Sequence, residues 1–267
     1  MFRKDLYAKI KDFVNGRSAG IIFALILITF ISTIVVFIPM VIVLFKGVAD
    51  YQFAQAFGDY SSFNGILIRT YSIMAIVTII TSMLISVLSA SLSTSIFKAY
   101  KNDEYVGIVT MFSEFKENGV KFLTASLAIF VVNLVAMPIM IIPIVGQVVL
   151  FYVVYSMSFV FMLIADGRSD GAFSAVKDSF NLSKGHRWNL FVMDINYGLR
   201  AFGVYFATII VGIGFFSQSS TEIIGALIVI AGMIATIVIA IKYIPHTLSI
   251  RPVYYEELCK REEDLEG

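Results

Sequence analysis

The arrangement of apolar residues constrains the fold of this chain more than any other feature. Six apolar runs recur along the sequence, and each is long enough to cross about 30 Å of hydrocarbon as a helix. The runs lie at residues 20–45, 72–97, 122–144, 146–165, 188–216 and 222–243. Because they are continuous rather than alternating, and because a helix satisfies its own backbone in lipid, they predict transmembrane helices. We therefore predict an all-α polytopic membrane protein, with residues 1–258 as one integral membrane domain and residues 259–267 as an acidic cytoplasmic tail.

Composition and charge agree with this class and exclude several others. The chain is 58% hydrophobic and 15% charged, against about 45–50% and about 25% in soluble domains. A net charge of +1 gives no indication of a nucleic-acid partner. The single cysteine, Cys259, excludes an internal disulfide and a cysteine-cluster metal site. The polar N-terminal lead is too long for a signal peptide, and the apolar run that follows it exceeds a signal's apolar region.

The distribution of basic residues predicts the orientation in the membrane. Most of the 20 Lys and Arg residues fall in the N-terminal segment, the second and fourth connections and the C-terminal segment. On the opposite side only Lys46 and Arg69 lie outside the runs. Since cytoplasmic loops carry the excess of Lys and Arg, we predict a multi-pass protein of the cell membrane with both termini in the cytoplasm.

Three polar segments on the predicted inner side share one pattern. Residues 2–14, 105–118 and 172–183 each place apolar side chains at helical spacing, with charged side chains opposite. Each is followed by a glycine (Gly16, Gly119 or Gly185) that suits a turn after a helix. The pattern predicts cytoplasmic-side amphipathic helices lying along the bilayer, each followed by a helical hairpin, and hence a possible threefold repeat.

The outer connection at residues 46–71 is rich in Tyr and Phe. Aromatic rings are favoured at the membrane interface, so an interfacial loop is one interpretation and a binding lid is the other. The prolines Pro39 and Pro138 are expected to kink their helices or to mark their ends.

Five short motifs stand in an order that resembles a known family: FSEFKENG at 112–119, IPIVG at 142–146, AVKDSFNLSKG at 175–185, WNLF at 188–191 and PVYYEEL at 252–258. Over residues 5–258 the chain resembles a bacterial family of six-helix integral membrane proteins of unknown function. That family is itself similar to the membrane domain attached to some glycerophosphodiester phosphodiesterases. The chain departs from the pattern at residues 200–202, where the family has an aromatic-rich helix with a mid-span Trp. The resemblance implies a six-helix fold and an inner-membrane location, and it carries over no catalytic residue.

Two charged residues, Asp194 and Arg200, lie within the fifth run. They are six positions apart, about 240° around a helix, and so do not share a face. Asn196 lies four residues before Arg200 and is placed to hydrogen-bond to it. Ionisable residues at this depth normally face a bundle interior and mark a pathway, so one hypothesis has Arg200 facing a polar cavity that binds an anionic group such as a lipid phosphate. In the alternative, Arg200 extends to the inner membrane boundary.

The second run contains a stripe of hydroxyls on one helical face, formed by Ser82, Ser86, Ser89 and Ser93. Small polar residues of this kind favour close packing between helices, and a hydrophilic path is the alternative.

A basic cluster precedes the fifth run and comprises Lys184, His186 and Arg187, followed by Trp188. Such a cluster is attracted to anionic lipid headgroups, and a docking surface for a partner is the competing interpretation. Trp188 has the position of an interface anchor. Neither of the 2 His residues has a metal-ligand spacing.

These observations lead to one predicted function and one alternative. No nucleophile elbow, phosphate loop or pair of intramembrane acids is visible, so we expect neither an enzyme nor a cofactor or metal site. We predict a non-enzymatic membrane protein that engages lipids, or a membrane partner or second copy, through its cytoplasmic face. The alternative is a transporter or permease subunit with a polar path near Arg200.

Overall fold

The computed structural model describes residues 2–58, 60–140, 142–216 and 222–266. Over these ranges the chain is helical and contains no strand. Its helices are α1 (Phe2–Val14), α2 (Ser18–Ala56), α3 (Phe63–Asn102), α4 (Ile108–Met140), α5 (Val145–Ser156), α6 (Val160–Ala165), α7 (Ala172–Leu182), α8 (Arg187–Phe216) and α9 (Glu222–Glu266), with a short 3₁₀ turn at Tyr60–Ser62.

Five helical segments of the described chain are long and apolar enough to cross a membrane: Ser18–Ala56, Phe63–Asn102, Ile108–Ile139, Val145–Ala165 and Gly225–Asp264. The all-α prediction is confirmed for the described residues, and the chain has the character of a helical membrane protein. Helix α8 covers the fifth predicted run, and its role as a sixth span stays a prediction. The predicted connection between α8 and α9, residues 217–221, lies outside the described residues.

The first hairpin is much longer than the sequence predicts. Helix α2 has 39 residues and α3 has 40, or about 58–60 Å each at 1.5 Å per residue. The predicted outer connection at 46–71 is therefore mostly helical, since α2 continues to Ala56 and α3 begins at Phe63. Close packing near Gly47, where an added Cβ would lie 2.7 Å from Thr70, holds the two helices together in this region. The expected interfacial loop is instead the distal end of a helical hairpin.

The three glycines expected to end inner helices behave differently. Gly16 and Gly185 have φ values of +89° and +84°, the left-handed conformation that glycine adopts without a steric cost. Gly119 lies inside α4, which runs unbroken from Ile108 to Met140. The amphipathic segment at 105–118 is thus mostly the first part of α4, and the turn expected in the second repeat unit is absent.

Helix α1 buries its apolar face in protein rather than presenting it to the bilayer. Leu6, Ile10 and Phe13 are at most 6% exposed and belong to the main core cluster. The helix packs against α9, where Lys9 forms an ion pair with Glu257. The burial of this face gives no support to the prediction that α1 lies along the membrane, because α9 covers the apolar side chains that would contact the bilayer.

Helix α9 extends through the predicted tail to Glu266 and has 45 residues. Its C-terminal half buries Tyr254 and Tyr255 completely and carries the nearly buried Glu257. Glu257 accepts a hydrogen bond of 2.8 Å from the Tyr100 hydroxyl as well as pairing with Lys9. The far end of α9 therefore joins α1 to the end of α3.

Candidate functional site

A cavity of about 390 Å³ lies among α2, α3, α4, the α5–α6 segment and α9. We call it the serine cavity. Most of its lining is apolar, and its described polar lining consists of Ser86, Ser89, Ser93, Asn133, Ser158 and Arg251. A mainly apolar pocket with a few convergent polar groups is the usual form of a small-molecule site.

The serines of the α3 stripe differ in role: one packs between helices and others line the cavity. Ser86 hydrogen-bonds to Ser126 of α4 across 2.9 Å, which is a packing contact between helices. Ser89 and Ser93 line the cavity. Ser82 is exposed and donates to the carbonyl of Ile79 in its own helix, 2.8 Å away. The stripe therefore reaches the cavity at Ser86, Ser89 and Ser93 but not at Ser82.

The cation at the serine cavity is Arg251, not Arg200. Its Nη2 donates to Oδ2 of Asp194 at 2.8 Å, and the Tyr155 hydroxyl donates to the same oxygen at 3.0 Å. The Asp194 side chain is 17% exposed and that of Arg251 is 35% exposed, so the arginine is the more accessible partner. The carboxylate thus holds the guanidinium at the cavity wall.

Arg251 is not among the site residues that the sequence predicts, because in the sequence it belongs with the basic residues that set orientation. A usable signal exists in the sequence, since Arg251 interrupts the stretch from Leu248 to Tyr255 at a point with no other charge. Its partner Asp194 is 57 positions away in the chain, and no local pattern reveals that pairing.

The other two members of the expected intramembrane site lie apart from the cavity lining. Arg200 is exposed, and its guanidinium carbon lies 5.9 Å from the centre of the Tyr197 ring. The expected Asn196–Arg200 hydrogen bond is not formed, because Asn196 Oδ1 is buried without a partner among the described residues. The structure therefore does not support Arg200 facing a polar cavity. An arginine on the protein surface agrees with the alternative geometry.

The predicted span at 146–165 is broken beside the serine cavity. Helix α5 ends at Ser156 and α6 begins at Val160, and Met157 and Ser158 of the break line the cavity. Ser179 of α7 stabilises the break, because its hydroxyl donates to the Ser156 carbonyl at 2.7 Å and accepts from the Phe159 N–H at 3.1 Å. Irregular backbone at membrane depth is tolerated where protein groups satisfy it in this way.

Helix α7 consequently packs one face into the protein interior and does not lie only on the membrane surface. Ser179 and Ser183 are completely buried, whereas Phe173, an apolar residue of the same segment, is 71% exposed. The buried face contacts α4 and α6.

The basic cluster is divided between internal and outward positions. Arg187 donates to the Phe180 carbonyl at 2.9 Å and stacks 4.1 Å from the centre of the Tyr152 ring. Lys184 and Trp188 are exposed, and Trp188 lies against Phe151. Of the expected headgroup-binding or docking residues, Lys184 and Trp188 keep an outward position.

His186, the remaining member of the cluster, is partly buried against the C-terminal half of α9. Its Nδ1 lies 2.9 Å from the Tyr254 hydroxyl. Burial, together with the positive charge of Arg261, lowers the pKa of His186 below its ordinary value. The imidazole is therefore held neutral near neutral pH.

A second cavity, of about 560 Å³, lies between the distal parts of α2 and α3 and is lined by residues that include Tyr51, Gln52 and Tyr71. The Tyr51 and Phe63 rings pack 4.3 Å apart near it. No charged residue lines it among the described positions. The serine cavity is therefore the better candidate, because several helices and an ion pair converge on it.

Comparison with family models, with curated proteins and with solved structures finds no match to this chain. The class of the protein thus rests on its own helices: in the part of the chain that the structure describes, five helical segments have the length and composition of membrane spans. Among the described residues, no group of three His, Cys, Asp or Glu side chains is arranged to hold a metal ion.

Proposed function

We propose that the protein is a non-enzymatic, multi-pass protein of the cell membrane that binds a membrane lipid in the serine cavity. One observation carries this proposal: the Arg251–Asp194 ion pair borders a mainly apolar cavity between membrane-type helices. Charges among such helices are costly, normally pair with one another and mark ligand pathways. The apolar lining of the cavity matches the alkyl part of a lipid, and the accessible guanidinium of Arg251 matches an anionic headgroup.

We also propose six spans with both termini in the cytoplasm. The ion pair between Lys9 and Glu257 supports this, since it brings α1 and the end of α9 to one side of the membrane. An even number of crossings must then separate them, and α8 is the natural sixth beside the five segments already described. The resemblance to the six-helix family agrees with this count and with the cytoplasmic membrane as location.

Crosslinking in native membranes, followed by purification and native mass spectrometry, tests the proposed function. We expect a lipid bound at one copy per chain that survives delipidating washes. A preparation that carries a stoichiometric protein partner and no lipid would contradict lipid binding. That result would favour the predicted docking role of the inner face, to which exposed Lys184 contributes.

A transporter or permease subunit is the second candidate, and the broken α5–α6 segment favours it. Discontinuous helices commonly form the binding sites of transporters, and here Met157 and Ser158 of the break line the serine cavity. The polar path in this case runs past Arg251 rather than Arg200. Proteoliposomes provide the test: transport predicts flux of the bound compound that falls when Ser89 is replaced by Leu but not when Ser82 is.

A further inference from the structure

We propose that the ligand of the serine cavity is a single-chain anionic amphiphile, whose carboxylate or phosphate accepts hydrogen bonds from Arg251. This inference rests on the proposed function, because it names the class of lipid that the cavity takes.

Arg251 is the charged donor that the cavity wall offers to a ligand. Its guanidinium has five N–H donors, and Asp194 is its hydrogen-bond partner among the described residues. The Asn133 amide nitrogen donates to the Ile129 carbonyl at 2.9 Å and the Ser86 hydroxyl pairs with Ser126, so both side chains already have a partner. The best acceptor for the remaining N–H groups of Arg251 is an anionic oxygen.

Two hydroxyls of the α3 stripe complete the polar part of the cavity wall. Ser89 and Ser93 line it and hydrogen-bond to no other described residue. A hydroxyl donates as readily as it accepts, so both side chains can also serve an anionic or ester oxygen. Asp194 acts as a positioning residue behind Arg251, since it does not line the cavity itself.

The size of the cavity favours one alkyl chain. Its volume of about 390 Å³ lies near the lower end of the range of about 300–1,000 Å³ typical of ligand pockets. Its apolar lining includes Ile28, Ile129, Phe161 and Leu248 from four different helices. This space suits a fatty acid or a lysophospholipid better than a lipid with two chains.

The location of the cavity agrees with a ligand from the inner leaflet. Under the proposed topology, Ile96 and Met162 lie close to the inner ends of their helices. Arg251 lies beyond the predicted sixth span on the same side. A headgroup at Arg251 is thus at the inner interface, where partial hydration reduces the cost of a third charge.

The experiment measures equilibrium binding to the purified chain in phosphatidylcholine nanodiscs. The probes are radiolabelled palmitate, radiolabelled palmitoyl-lysophosphatidylglycerol and the neutral monopalmitoylglycerol. We expect at least one anionic probe to bind at one per chain and at least tenfold more tightly than the neutral probe. Preference between the two anionic probes distinguishes a carboxylate from a phosphate ligand.

Two variants and two matched controls locate the binding. Ser93→Phe fills the cavity and leaves the ion pair intact, and Arg251→Gln removes the cation. Both are expected to weaken binding at least tenfold. Ser82→Phe on the same stripe and Arg200→Gln on the surface are expected to change it less than twofold. Protection of Cys259, which is 3% exposed, from a maleimide reports that each variant is folded.

Four results would overturn the inference. Three of them are equal binding of the neutral probe, full binding by folded Ser93→Phe, and equal losses in the two controls. The fourth is absence of binding by all three probes. If purified protein still retained a two-chain lipid in that case, the proposed function would stand and only the ligand class would be wrong.

Discussion

Arg251 and Arg200 carry the same charge in different settings, and we expect their replacement to have different effects on stability. Arg251→Gln leaves the nearly buried Asp194 with the Tyr155 hydroxyl as its remaining described partner. An unsatisfied buried group typically costs about 1–3 kcal/mol. Arg200 is exposed, so Arg200→Gln is expected to change stability by less than about 0.5 kcal/mol.

Denaturant unfolding in detergent, monitored by labelling of Cys259, measures both variants. Adding Asp194→Asn to Arg251→Gln is expected to recover part of the loss, since the uncompensated carboxylate is then removed. Equal destabilisation by Arg200→Gln and Arg251→Gln would contradict the assignment of Arg251 as the internal cation.

His186 makes the folded state sensitive to acid. Its folded-state pKa lies below the ordinary value of 6.5 because of burial and the charge of Arg261. As pH falls below 6.5, the unfolded chain takes up a proton that the folded chain does not, so stability decreases with falling pH.

We expect the difference in unfolding free energy between wild type and His186→Gln to shrink as pH falls from 7.5 to 5.5. The titration uses the same detergent and the same Cys259 readout at each pH. A difference that is constant across this interval would show that His186 is not held neutral by its surroundings.

Residue chemistry was easier to predict from the sequence than the partners of each residue. The sequence identified Asp194 and the α3 serines as candidates, and the structure places both at or beside one cavity. It did not reveal Arg251, because an ion pair 57 residues apart depends on how α8 and α9 pack. Position within the fifth run alone favours Arg200 as the internal cation. In the structure the Arg200 side chain is exposed instead.

Among the helices, the break between α5 and α6 gives a clear prediction about Ser179. Ser179→Ala leaves the Ser156 carbonyl and the Phe159 N–H without their shared hydroxyl partner. We expect a loss of about 1–3 kcal/mol in unfolding free energy. Ser82→Ala is the control, since that exposed hydroxyl bonds only within its own helix. A loss no larger than that of the control would mean that the break does not depend on α7.

Substitutions in α1 test whether its apolar face is buried in protein or in lipid. Ile10 is completely buried in the core, so Ile10→Ala is expected to cost about 2–5 kcal/mol. Lys11, the next residue, is exposed, and Lys11→Ala is expected to leave the unfolding free energy nearly unchanged. If Ile10→Ala altered membrane adhesion of the N-terminal segment without reducing stability, α1 would lie on the bilayer after all.

The existence of the helices follows from hydrophobic run length, whereas their ends depend on tertiary packing. No proline in the sequence marks the break between α5 and α6. The break is stabilised by Ser179, which lies 23 residues after Ser156. Gly119 resembles Gly16 and Gly185 in sequence, yet it remains helical because α4 continues across it. The extensions of α2 and α3 beyond their predicted runs pack against each other, as the Gly47–Thr70 approach shows.

For the whole molecule, the Lys9–Glu257 pair predicts that both termini lie on one side of the membrane, and the distribution of Lys and Arg predicts that this side is the cytoplasm. Single cysteines are introduced at Phe57, Lys184 and Glu263 in a Cys259→Ser background. A membrane-impermeant maleimide applied to intact cells is expected to label the first position only, and permeabilisation should expose the other two. Labelling of position 263 from outside would indicate an odd number of crossings and contradict a spanning α8.

The most direct test of the whole account is photocrosslinking from the serine cavity in native membranes. A photoreactive amino acid is placed at Ser89, which lines the cavity, or at Ser82, which lies on the same stripe outside it. The account predicts a discrete adduct with one single-chain anionic lipid at position 89, and only a bulk-lipid distribution at position 82. The same lipid profile at both positions, or only protein adducts at position 89, would contradict it.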